Sequence, residues 1–405
     1  MSADSIRPSS SGIAEGGMRS PNENKYWSRL DHLRLYAALL VMLAHVWAYA
    51  GGDFEPHTTG FFVSVIQEGH IGVGLFLVLS GYLFTSIALD NQGTILYWRF
   101  VKNRALRIFP LLTVMFFVLL CVGKLQFSGD TVLNLLLLQL NVGDEISGFG
   151  QKLFPVGAWW TTSVEFQFYL IFPFIFLFVR KQGPQYLVGL LTVFILIRLC
   201  LFAIKGDVYW LEYHSIIGRM DEFLIGMLAA CLHRSHRARI DAISLALLAG
   251  SLVLMPVYCF WYRDIPLIDA VFSFTLEGII FAAFIVGYQS PMLHIPRFAD
   301  RLLARGGELT FSIYLLQAPI AEALARSGLL PHISRSTTVT TLFCAFVIML
   351  PLTVLVSKLT FLYIEKPFMD LRVAYFKRPD IEPVRREQGA PPPPVEVESA
   401  SWPLQ

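Results

Sequence analysis

Charge is what this sequence has little of. Of its 405 residues only 15% are Asp, Glu, Lys or Arg, against about 25% in an ordinary soluble domain. The deficit is not made up by glycine, proline or low complexity, which excludes the disordered and fibrous classes. The net charge of +2 is too small to imply a nucleic-acid partner. Cysteine is sparse too. Cys121, Cys200, Cys231, Cys259 and Cys344 all fall in apolar blocks without CxxC or Cys/His spacing, which argues against a disulfide framework or a metal site. The first thirty-odd residues hold no apolar stretch of the kind that precedes a leader cleavage site, so the first hydrophobic segment is expected to act as its own targeting signal.

What is abundant is apolar: 55% of the chain, including 33 phenylalanines, in long blocks free of charge. A water-soluble protein of this length could not bury so much, so the expected class is an all-α, polytopic transmembrane helical bundle. Spanning a hydrocarbon core as a helix takes about 20 mostly apolar residues. Candidate spans run over 33–50, 71–90, 107–124, 161–180, 185–204, 216–232, 240–260, 267–288, 309–327 and 338–363, about ten in all. The stretch 131–141 is too short to cross and is expected to be an interfacial or re-entrant helix. The domain organisation follows: a disordered tail over 1–32, a membrane domain over 33–370, and a tail over 371–405 containing Pro391 to Pro394.

Lys and Arg set the orientation. Loops after even-numbered spans carry Arg99, Lys102, Arg104, Arg107, Arg180, Lys181, Arg234, Arg237, Arg239, Arg297, Arg301 and Arg305. Those after odd-numbered spans carry only Lys124, Lys152, Lys205, Arg263, Arg326 and Arg335. This asymmetry places both termini in the cytoplasm.

Ionisable groups at membrane depth are functional candidates by default. Arg34 and His45 lie eleven residues apart, which on a helix returns nearly to the same face with a rise of about 16 Å. Ala38 and Val41 between them are small enough to leave a groove. Glu165 follows Trp159 and Trp160, read as an interface anchor, and so is expected at a depth matching His45. A carboxylate and an imidazole at one depth can form an acid/base pair, or a structural ion pair that locks two helices. Arg104 and Arg107, spaced i and i+3, share a helix face and suit phosphate groups, because each guanidinium is a planar fork of donors. The plainer reading is that both snorkel to lipid phosphates. Arg219, Asp221 and Glu222 are expected to neutralise one another, and Arg198 and Glu277 to pair or face a wet cavity. Ser80 has no Gly-x-Ser-x-Gly setting, so it is not expected to be a nucleophile.

Five segments then carry a resemblance. Leu30 to Arg34 through His45 resembles the Arg-x10-His opening of the integral-membrane acyltransferase-3 family. Gly72-Val73-Gly74-Leu75-Phe76 onward to Tyr82 resembles its second signature, and Arg104-Ala105-Leu106-Arg107 its Arg-x-x-Arg segment. Trp160 to Tyr169 resembles the block around a functional glutamate, and Ile364-Glu365-Lys366-Pro367-Phe368 the closing motif. The segments run from 30 to 368 in the family's order.

The resemblance implies ten core helices and transfer of an acyl group, usually acetyl, from an acyl-CoA. The acceptor it implies is a hydroxyl on a glycan, a lipid-linked sugar or a secreted small molecule, in the cytoplasmic (inner) membrane of a bacterium. His45 and Glu165 become the catalytic candidates, and Arg34, Arg104 and Arg107 the candidates for binding the donor; no metal is expected. Three positions depart: Gly74 where many members have an acid, His32 where glycine is common, and Gln317 where histidine is frequent. Many relatives also carry a soluble esterase-like domain after the helices; with forty or so residues after the last span, none is expected in this chain. Competing readings are a proton-coupled transporter or exporter with the His/Glu pair as relay, and a catalytically silent lipid-binding scaffold. No repeat between halves supports the former.

Overall fold

The computed structural model describes residues 27–91, 94–140, 159–206 and 213–377. The outer parts of both expected tails, 1–26 and 378–405, lie outside the described residues. Each of the ten expected spans falls on a helix: α1 (Ser28–Tyr49), α2 (Gly72–Asn91), α3 (Tyr97–Cys121), the short α4 (Gly129–Leu136), α5 (Trp160–Gln182), α6 (Gln185–Lys205), α7 (Ile216–Ser235), α8 (Arg237–Trp261), α9 (Ser273–Tyr288), α10 (Arg297–Glu308), α11 (Thr310–Arg326), and a final helical run α12 (Thr337–Met369). Eight of these are long and apolar enough to cross a membrane. The helices α7 and α11 fall short for physical reasons. Arg219, Asp221 and Glu222 dilute the apolar character of α7, and α11 has only 17 residues. The eight-residue α4 is the helix expected within 131–141, opened by a capping box between Ser128 and Thr131.

Helix ends differ from expectation where buried polar groups hold them. Ser28 to His32, expected in the tail, are the first turns of α1. Leu30 is 1% exposed, Arg29 donates to the carbonyls of Ser290 and Leu293, and His32 bonds Tyr288 OH at 3.2 Å and Asp300 O at 2.9 Å. The histidine that departs from the family pattern therefore pins α1 to the ends of α9 and α10. At the other end of the chain, Asn103 exchanges two hydrogen bonds with the Val373 backbone. Beside it, strand β1 (Thr94–Ile95) pairs antiparallel with β2 (Phe376–Lys377), so residues 371–377 belong to the folded unit.

Close helix packing rests on small residues, as expected where lipid gives no hydrophobic drive to associate. A Cβ on Gly81 of α2 would meet the Phe223 carbonyl of α7, and one on Gly226 of α7 would meet the Val78 carbonyl of α2. Gly306 and Gly307 let α10 press on Leu35 and Asp31 of α1 in the same way. That contact lies well inside α1. The run α12 contains two π-helical stretches, Cys344–Met349 and Phe361–Glu365. The second runs into the start of the closing motif, and such insertions are often found at functional sites.

A candidate active-site cavity

A cavity of about 190 Å³ opens where α1, α2, α3, α5, α11 and the end of α12 meet. Arg34, Arg104, Arg107 and Glu165, drawn from three helices and named from sequence alone, all line it. They are not equivalent in what their partners leave available. Arg34 is bonded to Asp31 at 2.6 Å, one turn back on α1. Arg107 lies 3.8 Å from Glu365 Oε2 and donates to Met369 Sδ and the Glu308 carbonyl. Arg104 stands over the rings of Phe84, Phe100 and Tyr169, 4.9 to 5.8 Å from their centroids, and its buried Nε has no hydrogen-bond partner. A guanidinium held by aromatic faces keeps its directed donors for another anion.

Glu165 accepts hydrogen bonds from Ser80 Oγ at 2.9 Å and from Tyr169 OH. Trp159 and Trp160 are buried, at 0% and 7% exposure, instead of anchoring an interface. The Trp159 indole donates to the Leu315 carbonyl and Thr161 donates to Tyr314 OH. Helix α5 therefore begins inside the bundle, and its sixth residue, Glu165, is carried to the arginines.

His45 is not among the cavity-lining residues. It lies eleven residues beyond Arg34, and the strip between them is packed: Ala38 is 0% and Val41 4% exposed. The expected groove beside Ala38 and Val41 is thus filled, with Val41 against Val73 and Leu77 of the cavity wall. No hydrogen bond joins His45 to Glu165, and His45 Nδ1 is buried with no partner. Gln317 is in the same position, fully buried with neither its amide nitrogen nor its oxygen bonded. Buried polar atoms are normally satisfied, so these two side chains mark polar ground in an apolar layer.

Several cavity residues were not assigned from sequence. Ser80 and Tyr169 hold Glu165; Asp31 holds Arg34. Outside the cavity lining, Glu365 is fully buried, accepts from Ser312 and faces Arg107, so the closing motif is tied to the Arg-x-x-Arg segment and to Ser312 of α11. Each of these residues sits in a recognisable motif, but their pairings join positions far apart in the chain. Arg198, expected to pair with Glu277 or face a wet cavity, instead bonds Asp221 and Thr275. Among the described residues no group of His, Cys, Asp and Glu is arranged to hold a metal ion.

The helical bundle and the arginine-lined cavity within it define a membrane-protein class, and comparison with known proteins makes it specific. The family model described as an acyltransferase domain matches residues 27–358, and the chain belongs to that family, the acyltransferase-3 family. It is similar to nodulation protein 10 of Rhizobium leguminosarum bv. viciae, 30% identical over 174 residues, which are 39% of this chain and 46% of the relative. A Staphylococcus aureus (strain MSSA476) protein named as an O-acetyltransferase is 25% identical over 236 residues, 53% of this chain and 36% of that protein. The acyltransferase MdmB of Streptomyces mycarofaciens is 28% identical over 166 residues, 38% of this chain and 40% of the relative. The matched stretches thus span less than half the length of these relatives. No solved structure matches the chain.

Proposed function

We propose that this protein is a membrane acyltransferase that moves an acyl group, acetyl by default, from a cytoplasmic acyl-CoA to a hydroxyl on the outer side. The acceptor class is a glycan, a lipid-linked sugar or a secreted small molecule, and the setting is a bacterial inner membrane with both termini cytoplasmic. The observation that carries this reading is the convergence of Arg34, Arg104 and Arg107 with Glu165 on one cavity. Coenzyme A phosphates dock on the guanidiniums, Arg104 first, because its donors are the least committed. The thin pantetheine arm extends along α1 toward His45, displacing the side chains packed around Val41. His45 takes the proton of the acceptor hydroxyl, which attacks the thioester carbonyl; the thiolate leaves with coenzyme A. Glu165, held by Ser80 and Tyr169, acts on the arginine side, where it sets the charge met by the donor, and is not the direct partner of His45.

The test is thiol release. Protein in detergent with acetyl-CoA and a pool of surface glycans should liberate free coenzyme A. His45→Ala should lower the rate by about 100-fold or more, the usual contribution of a general base. Turnover that survives His45→Ala removes His45 from the chemistry. Orientation is checked separately by labelling Glu55→Cys, which should react only from outside.

A further inference from the structure

A second set of charges lies on the face of α2 that packs against α7 and α9. Arg198 of α6, Arg219, Asp221 and Glu222 of α7, and Glu277 of α9 are each at most 2% exposed. Arg198 bonds Asp221, and Arg219 Nε lies 3.1 Å from Glu222 Oε2. Glu277 is left without an arginine of its own. Its carboxyl and that of Glu222 approach each other beside Gly74, where a Cβ would run into Oε1 of both. Both oxygens of Glu222 and Oε1 of Glu277 are buried with no hydrogen-bond partner. The family's frequent acid at the position of Gly74 is thus matched in this chain by two carboxyls arriving from α7 and α9.

Among the described residues two arginines face three acids in a site closed to water, and an uncompensated charge there is costly. Two carboxylates in contact repel unless a proton lies between them. We propose that Glu222 and Glu277 form a proton-binding site, holding one shared proton that neutralises the cluster. Around the pair stand Arg219 and Asp221 on α7, Arg198 on α6, and Tyr258 and Cys259 on α8. Glu68, just ahead of α2, is the next acid outward. Tyr258 OH lies 3.4 Å from Glu277 Oε2 and its ring stacks on Tyr262 at 4.8 Å. Tyr262 OH donates to Glu68 at 3.0 Å, and Glu68 lies 3.5 Å from His70. His70 lines an open hollow with Phe54, Glu55 and Arg263 at the far end of the bundle.

Infrared spectroscopy of the purified full chain at neutral pH tests the proposal. The wild type should show the C=O stretch of one protonated carboxyl that is lost in both Glu277→Gln and Glu222→Gln and kept in Glu165→Gln. Each single change leaves two arginines facing two carboxylates, so both variants should fold and melt close to wild type, whereas Arg219→Met should not. Absence of the band, its survival in either Gln variant, or failure of both Gln variants to fold would overturn the shared proton. So would a melting temperature that rises with sodium at fixed pH, which would assign the site to a metal cation.

Discussion

The bundle holds two clusters of charge at depth, and they differ in what surrounds them. Around Arg34, Arg104 and Arg107 the helices leave a cavity, and aromatic rings hold Arg104 where an acid could have stood. Around Arg198 and Arg219 the helices close, and each arginine has a carboxylate in contact. Both clusters combine arginines with carboxylates. The cavity makes the first set able to accept an anion from outside, while the second is committed to holding α6, α7 and α9 together. Reading charge at depth as function is therefore sound only after asking whether the partner is already present.

The difference is broken most directly by removing one arginine from each cluster. Arg198→Met leaves Asp221 buried without its cation, and such a loss costs on the order of 3–5 kcal/mol. The expected result is a large fall in yield and in the detergent melting temperature. Arg104→Ala, whose guanidinium faces rings and cavity, should change the melting temperature far less. Equal tolerance of the two substitutions would erase the distinction between closed and open clusters.

The second expected effect concerns affinity. A charge-assisted hydrogen bond is worth about 1.5–3 kcal/mol, so Arg104→Ala should weaken coenzyme A binding by roughly 10- to 100-fold, measured by titration calorimetry. Arg107→Ala should weaken binding and also lower stability, because Glu365 is then left buried beside Ser312 alone. An unaltered affinity in Arg104→Ala would return this arginine to the membrane surface, as a side chain that serves lipid phosphates. A smaller change is expected at Ser80→Ala. Removing one of two donors to Glu165 should cost about 0.5–1.5 kcal/mol, read as a fall in turnover of up to about tenfold with the fold intact.

Much of this architecture was legible in the sequence. Every candidate span coincides with a helix, since runs of apolar residues between charged loops leave the chain few alternatives in lipid. The i, i+3 spacing of Arg104 and Arg107 put them on one face, and the order of the motifs named the arginines that share the cavity. The setting of the tryptophan pair was not legible. Trp159 and Trp160 have the composition of an interface anchor, yet they are buried inside the bundle, and Glu165 shares its cavity with Arg34. Composition cannot distinguish an aromatic pair facing headgroups from one facing Leu315 and Tyr213. Pairings were equally closed to sequence. Ser80 with Glu165 and Arg107 with Glu365 join residues 85 and 258 positions apart, and only the packing of α2 on α5 and of α3 on the end of α12 selects them.

Between the open and the closed cluster stands Glu68, at the far end of the bundle ahead of α2, and it gives the smallest and sharpest test. Its carboxyl is buried yet touches Arg263 at 2.9 Å and Tyr262 OH at 3.0 Å. Burial outweighs these partners and pushes its pKa from 4.5 up to about 7. The folded chain then holds this proton more tightly than the unfolded chain, so the stability it contributes is complete at acid pH. That contribution is lost as the pH rises from about 4.5 through about 7. The detergent melting temperature should fall across this window in the wild type and fall less in Glu68→Gln, which stays neutral throughout. A wild-type melting temperature that rises over the same window would mean that the contact with Arg263 dominates. Glu68 would then belong with the closed cluster, as an acid already matched by its arginine.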